Sequence, residues 1–480
     1  MRADIKKICD TILRFKDLSF LVIGDLILDE YVYGDVERIS PEAPVQVVDI
    51  RENSLGIGGA GNVANNIVSL GARVYLAGVL GDDRDGELFR KILEEKGIKR
   101  EGIILDSSRP TTKKTRIIAN GQHVIRLDYE SRAKISPKIE KRLIDYMLSF
   151  SEIDGIIISD YAKGVVTRKI VRCIVDHYRK KIPIFVDPKG KSFKKYRGVT
   201  AITPNRKEAI NASGRSDIFS SAKKFLNELD LDMVFITLGK DGIFFLKKDG
   251  ESSHIPAFSK EVYDVSGAGD TVISVLGLSI SSGLSIFDSA FLANFAAGIV
   301  VSKVGTIPIR RDELINSLLS ETFAKSKLLD ILELSQRVSY LRAQGKRIVF
   351  TNGCFDIIHP GHIHLLKRSK ELGDILIVAI DDDDSVRRLK GDGRPVFNQF
   401  ERAKLISSLD CVDFVTIFSH EELRSIIERI RPDILTKGND YSLDQVVGKD
   451  IVEGYGGKVV LIPVLNNGSS SDIIRRIKAS

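Results

Sequence analysis

Asp264-Val-Ser-Gly-Ala-Gly-Asp-Thr271 runs without a break into Val272-Ile-Ser-Val-Leu-Gly-Leu278, a glycine-rich turn that opens directly into an apolar helix. Gly267, Ala268 and Gly269 can bring bare backbone N–H groups close to an anion, and the helix behind them turns its positive end the same way. The stretch reads as a phosphate site with a base inside it. Asp270 falls in the first helical turn, where a carboxylate stays ionised at neutral pH and can take the proton of a hydroxyl attacking a terminal phosphoryl group. An isolated aspartate before an apolar run is more often only a cap, but D-x-x-G-A-G-D is not isolated. No P-loop competes for the role: Gly190-Lys191-Ser192 has Phe185 where G-x-x-x-x-G-K-[ST] needs glycine.

Toward the amino terminus, Ser19-Phe-Leu-Val-Ile-Gly-Asp25 reads as a buried strand ending in a turn, with Asp29 close behind. Two acids at the carboxyl end of a strand suit hydroxyl recognition, or simply form the turn. Tyr31 to Val48 alternates and carries prolines, as edge strands of a flap outside the main sheet do. Gly56-Ile-Gly-Gly-Ala-Gly-Asn62 precedes a helical pattern, and the next strand lacks the acid that a dinucleotide fingerprint requires. Residues 111 to 128 read as a hairpin bearing Lys113, Lys114, Arg116 and Arg126, which form either its wet face or the holders of a phosphate on the sugar. From 154 to 240 strand and helix alternate, the rhythm of a parallel sheet wrapped by helices. Within it, Asn205-Arg206-Lys207-Glu208 puts an amide and a carboxylate on one helical face, placed to hold a magnesium–phosphate hydration shell or to cap the helix reciprocally. Lys163 and Lys189 end strands on the same edge as candidate ligand contacts.

Residues 311 to 344 are helical and charged without a buried-strand pattern, after which the strand–helix rhythm restarts at Lys346 to Gly353. The boundaries expected are 1–318 for the first domain, 319–343 for a linker and 344–480 for a second, smaller doubly wound domain. Its first strand-to-helix connection contains Asp356-Ile-Ile-His-Pro-Gly-His362, and Pro360 suits the first helical position. His359 and His362 then stand at the positive end of the helix, where imidazole N–H groups stabilise charge on a phosphate. Zinc held by His359, His362 and His364 is the rival reading, against which the spacing and the lack of a cysteine pair weigh.

The totals bound the class. At 480 residues with 43% hydrophobic content the chain is folded and multidomain. Its 72 lysines and arginines against 65 acids give +7, dispersed along the chain, which favours small anionic substrates over nucleic acid. Cys9, Cys173, Cys354 and Cys411 form no C-x-x-C, as in a reducing cytosol, and no window is apolar enough for a membrane span. A cytoplasmic protein is expected.

Asp264, Gly267, Ala268, Gly269 and Asp270 resemble the anion-hole signature of the ribokinase-like carbohydrate kinases, which move the γ-phosphoryl of ATP to a sugar hydroxyl. The resemblance implies that Asp270 is the base, that Asn205 to Glu208 serve ATP, and that Gly58, Gly59 and Asn62 contact the sugar beside Asp25 and Asp29. Thr351-Asn352-Gly353-Cys-Phe355-Asp356 with His359-x-Gly-His362 is similar to the H-x-G-H nucleotidyltransferases of the cytidylyltransferase-like branch. These join an anionic oxygen to the α-phosphorus of a nucleoside triphosphate and expel pyrophosphate. By this likeness Lys390, Arg394, Lys437, Ser469, Ser470 and Ser471 contact the nucleotide. Asp381 departs from the amide expected after the second strand, a charge expected to weaken nucleotide binding, and Ser470 and Ser471 replace threonines.

Together the two halves resemble the bacterial bifunctional heptose 7-phosphate kinase/heptose 1-phosphate adenylyltransferase family over essentially the whole length. The fold implied is α/β: a ribokinase-like three-layer domain with a β flap, then a smaller Rossmann-like nucleotidyltransferase domain. Mg2+ with ATP, sugar phosphates as substrates and a homodimer are expected, with Glu208 meeting the metal only through water.

Overall fold

Ser19–Gly24 is buried at all six positions, which a strand can be only when neighbours flank both edges and other layers cover both faces. The computed structural model, which describes residues 3–258, 264–303, 305, 307–324 and 327–463, provides both. The strand lies inside a nine-stranded sheet. On one side follow Arg73–Gly81 and Lys99–Asp106; on the other Gly155–Ser159, Ile184–Asp187, Ala201–Ile202 and Met233–Thr237, all parallel. Ile243–Lys247 and Ser252–Ile255 close the far edge antiparallel.

Alternation along the central strand feeds two cores. Phe20 and Val22 face one cluster, with the helices Ile5–Arg14, Ala60–Ser69, Ala268–Ser281 and Ile286–Val300. Leu21 and Ile23 face the other, under Pro137–Met147, Arg168–Tyr178 and Ile218–Leu229. The helix Ala268–Ser281 is buried continuously from Asp270 to Ser279: its residues are mostly apolar, and the hydroxyls of Thr271 and Ser274 are satisfied by hydrogen bonds. The expected flap is a separate four-stranded sheet ordered Gln46–Gly59, Leu26–Ile39, Lys113–Ala119, Gln122–Tyr129.

The chain divides into compact units Met1–Leu318 and Leu319–Ser480. In the second, five parallel strands run in the order Phe414–Phe418, Ile375–Asp381, Ile348–Gly353, Ile434–Gly438, Lys458–Ile462. The order reverses beside the first strand of the unit, which opens a crevice at its carboxyl end. Most of the stretch expected to link the domains belongs to this unit's core. Ile331–Ala343 is a helix capped reciprocally by Asp330 and Glu333, and Leu334, Val338 and Leu341 bury against the sheet. The charged residues between them hide that apolar stripe in the sequence. Among the described residues, no helix is long and apolar enough to cross a membrane.

Arg402 is the largest fully buried side chain. Its guanidinium donates to the carbonyls of Phe397 (3.0 Å), Cys354 (2.7 Å) and Asp381 (2.8 Å) and to Asp383 Oδ1 (2.6 Å). One planar cation thus joins the first strand-to-helix loop to the end of the second strand. Arg402→Leu strands three carbonyls and a carboxylate and is expected to destabilise the second unit by about 3–5 kcal/mol. Denaturant unfolding followed by circular dichroism checks this, with the transition of the first unit unchanged.

Two candidate active sites

The parallel strands of the first unit deliver acids to one edge. Ser19–Gly24 ends at Asp25, Gly155–Ser159 at Asp160, and Ile184–Asp187 at its own last residue. Asp25 Oδ2 accepts the backbone N–H groups of Tyr161 (2.8 Å) and Lys163 (3.0 Å), and Oδ1 that of Val165 (3.2 Å). Three donors organise the following loop around Asp25, although burial and then Asp160 still push its pKa above the ordinary carboxylate value. Asp29, also buried, receives Arg116 at 2.6 Å. Burial raises its pKa against the pull of Arg116 and Lys114.

The glycines expected at the sugar explain themselves sterically. A Cβ on Gly58 would stand 2.2 Å from Asp29 Oδ2, and Gly59, at φ +59°, would put one 2.3 Å from the Asp25 carbonyl. Their bare backbone lets the helix Ala60–Ser69 begin against both acids, and this helix carries Asn62 to Asp270. Asp270 Oδ2 accepts from Asn62 Nδ2 at 2.8 Å, and Oδ1 from the Tyr161 hydroxyl at 3.0 Å. Burial lifts the Asp270 pKa to about 7, against the two hydrogen bonds and with a further push from Asp29. Asp25, Asp29, Gly58, Gly59, Asn62 and Asp270 are therefore brought together at one edge of the sheet.

The phosphate turn is held by Asp264, whose Oδ1 accepts from Ser266 N (2.8 Å) and Oδ2 from Gly305 N (3.1 Å). Gly267 caps the helix Ala268–Ser281 at φ +80°, a left-handed conformation natural to glycine, and a Cβ on Gly269 would meet nothing within 4 Å. Among the described residues, the space around Gly269 is therefore open. Asn205 and Glu208 form the reciprocal cap, at 3.0 Å in both directions, and the second oxygen of Glu208 takes Lys189. The exposed Lys207 lies between them, and Arg206 reaches Asp241 at 2.6 Å. Arg206, Leu238, Lys240, His254 and Pro256 line an adjoining cavity of about 570 Å³.

Several side chains depart from the expected contacts. Lys163, expected at a phosphate, is paired with Glu130, and Lys189 with Glu208, so each ammonium is answered by a carboxylate. On the hairpin, Arg116 joins a pocket acid, while Lys113 pairs with Asp85, and Lys114 and Arg126 with Asp128. Tyr161 carries no signal of this role in the sequence, because no local pattern announces a contact to a residue 109 positions away. The same holds for Lys195 and Tyr196, which donate to Asp160.

In the second unit Pro360 opens the helix Pro360–Lys370 and His359 is its N-cap residue. The His359 and His362 rings lie 3.9 Å apart, and Phe355, at φ +45°, packs 5.1 Å from His362. Burial, then His359 and Lys390, lower the His362 pKa to about 4; burial and Lys390 lower that of His359. The His362 ring is therefore neutral near pH 7 with a single N–H, and the backbone of Ile357 also hydrogen-bonds to the ring. Asp356 is buried, bonded to Arg394 and to the Val396 N–H at 2.6 Å. Lys437 donates to the Asn352 carbonyl (2.9 Å) and Oδ1 (3.2 Å) beside Gly353, and burial lowers its pKa.

Asp381 is buried with His420 Nδ1 3.4 Å from its Oδ1, and the charge of Lys437 also faces it. The charge expected to weaken nucleotide binding is thus met inside the protein. Burial and Asp381 push the nearby Cys354 thiol up to about 11. The candidates Ser469, Ser470 and Ser471 lie outside the described residues.

Comparison with known proteins gives concordant results. Residues 18–312 match the pfkB family carbohydrate kinases, and residues 350–476 the cytidylyltransferase-like family. The chain is 45% identical to bifunctional protein HldE of Geobacter sulfurreducens, with 96% of each chain covered. It is also 45% identical to that of Syntrophotalea carbinolica, covering 97% of this chain and 96% of the relative. Phosphofructokinase-2 of Escherichia coli, in a crystal structure with potassium, superposes with a TM-score of 0.54 at 16% identity, over 64% of this chain and 99% of that one. That likeness concerns the fold. The chain belongs to the bifunctional HldE family, a pfkB family carbohydrate kinase joined to a cytidylyltransferase-like nucleotidyltransferase.

Proposed function

We propose that the chain makes ADP-heptose for the lipopolysaccharide core in two ATP-dependent steps. The first unit phosphorylates the anomeric hydroxyl of D-glycero-β-D-manno-heptose 7-phosphate. The second adenylylates heptose 1-phosphate, formed after a separate phosphatase has acted. The observation that carries this reading is the pairing, in one chain of the HldE family, of a buried base at a glycine turn with a neutral histidine pair at a helix N-terminus.

In the first step the anomeric oxygen attacks the γ-phosphorus while Asp270 takes its proton, and the bond to the β-phosphate oxygen breaks to release ADP. Gly267 to Gly269 and the helix behind them stabilise the phosphoryl charge. Asn62, Asp25 and Asp29 shape the sugar pocket; Asn205 to Glu208 and the neighbouring cavity serve ATP. In the second step an oxygen of the sugar phosphate attacks the α-phosphorus and pyrophosphate leaves. Neutral His359 and His362 donate N–H groups to the developing charge, with Lys390, Arg394 and Lys437 supplying positive charge.

Mg2+ fits the first site as an ion carried by ATP. The single carboxylate of Glu208 at a helix start is the kind of donor that Mg2+ takes through water together with substrate phosphates. When bound it would neutralise phosphate charge. A cytoplasmic location agrees with the four cysteines, which are all free. A homodimer agrees with the flap: Ile50 (67% exposed), Ile125 (50%) and Tyr129 (58%) share the face opposite the Arg116–Asp29 pair.

Phosphorus NMR with ATP, Mg2+ and the heptose 7-phosphate tests the reading; a β-anomeric 1,7-bisphosphate is expected, and turnover of fructose 6-phosphate or ribose instead would overturn it. Asp270→Asn is expected to lower phosphoryl transfer by about 10²–10⁴-fold while ATP binding and adenylyl transfer persist. Because the base must be ionised, kcat/KM for the kinase should fall as pH drops through about 7, the pKa of Asp270. His362→Ala should abolish pyrophosphate release and spare the kinase, whereas wild-type adenylyl transfer should show no loss from His362 protonation until pH approaches about 4. Ile125→Asp with Tyr129→Asp is expected to halve the mass seen by sedimentation; an unchanged mass would remove the flap from the interface.

A further inference from the structure

Tyr161 belongs to none of the motifs that the proposed chemistry uses, yet it touches both sides of the sugar pocket. Its backbone N–H donates to Asp25 Oδ2 at 2.8 Å, and its hydroxyl donates to Asp270 Oδ1 at 3.0 Å. The segment that carries it is pinned. Asp160 Oδ2 accepts from the Tyr196 hydroxyl at 2.7 Å and from the Lys195 ammonium, and Oδ1 from Ala162 N at 2.7 Å. Ala162 holds φ +58°, a left-handed conformation costly for any residue with a Cβ. Gly164, at φ +92°, lies where a Cβ would come within 2.0 Å of the Ala133 carbonyl. A loop so constrained holds the Tyr161 ring at a set distance from the base.

We infer that Tyr161 is a positioning residue of phosphoryl transfer, aligning Asp270 through the same pinned segment that Asp25 organises; the role rests on Asp270 being the base.

The chemistry of the two donors to Asp270 gives Tyr161 the distinct part. Asn62 presents an amide NH2, which can only donate. The Tyr161 oxygen carries one proton and two lone pairs, so it donates to the carboxylate and can accept once the carboxyl group has taken the proton of the sugar. Tyr161 is therefore the neighbour able to satisfy Asp270 Oδ1 in both protonation states. Burial, Asp270 and Asp187 all hold the phenol well above its ordinary pKa, so it stays protonated as a donor across the working range.

The charged groups around this pair are Asp29 with its Arg116, Asp187 facing both Lys189 and Glu208, and Asp25 beneath the backbone of Tyr161. None is altered by removing one hydroxyl. A change in the pH profile of such a variant therefore reads the hydrogen bond itself.

The test is Tyr161→Phe in the full chain, with kcat and KM for phosphoryl transfer measured across pH and adenylyl transfer measured in the same preparation. Loss of a hydrogen bond to a charged group should cut kcat about 10- to 100-fold. It should move the acid limb to higher pH, because a carboxylate with one donor fewer is more basic, while KM for ATP and adenylyl transfer stay within about twofold of wild type. Incorporating 3-fluorotyrosine at the same position, a stronger donor of unchanged shape, should move the acid limb to lower pH; this decides the matter should the Phe variant fold poorly. An acid limb that stays in place in both variants, or a rise in KM alone, overturns the positioning role. A wild-type chain that phosphorylates no sugar phosphate overturns the functional reading first, and the inference with it.

Discussion

A single enclosed carboxylate sets the terms for the first unit. Asp270 opens the buried run of the helix Ala268–Ser281, and burial disfavours its charge enough to bring its pKa to about 7. Two donors, Asn62 and Tyr161, oppose that effect by favouring the charged form. Each donor arrives on a different element, one on the helix Ala60–Ser69 and one on the loop after Gly155–Ser159. The glycines at 58 and 59 and the strained Ala162 follow from that requirement, since the backbone must approach Asp25 and Asp29 closely for the donors to reach.

The second unit meets a related electrostatic demand with neutral groups. At the N-terminus of Pro360–Lys370, burial and the nearby Lys390 keep His362 uncharged, so the field of the helix is supplemented by N–H dipoles. The positive charge is placed on lysines and arginines around it, and several are already engaged: Arg394 with Asp356, Lys437 with Asn352. Arg402 lies beneath and fixes the loop to the sheet through backbone carbonyls.

The motif residues and the paired cations differ in how far they could be read in advance. Asp270, Asn62, Gly58 and Gly59 carry local signals, because a phosphate turn or a close backbone approach demands glycine at particular spacings. Lys163 and Lys189 carry only a charge, and long side chains find whichever carboxylate the fold brings near, here Glu130 and Glu208. Asn205 and Glu208 form the reciprocal cap, and the expected ATP-contact motif consists of the same two groups, so the sequence pattern alone does not separate the two readings. The helical character of Ile331–Ala343 was legible, but its core face was not, because Leu334, Val338 and Leu341 are separated by charges that belong to its wet face.

The order of strands and helices, the two motif sets and the presence of a flap were legible from the sequence alone, because each follows from local periodicity and glycine chemistry that neighbouring residues impose on one another. Only the tertiary structure decided that Tyr161 would share Asp270 with Asn62, that Arg116 would meet Asp29, and that Asp381 would face His420 and Lys437. Those contacts join residues tens to hundreds of positions apart, and burial, which no single residue possesses before the chain folds, determines what each charge is able to do.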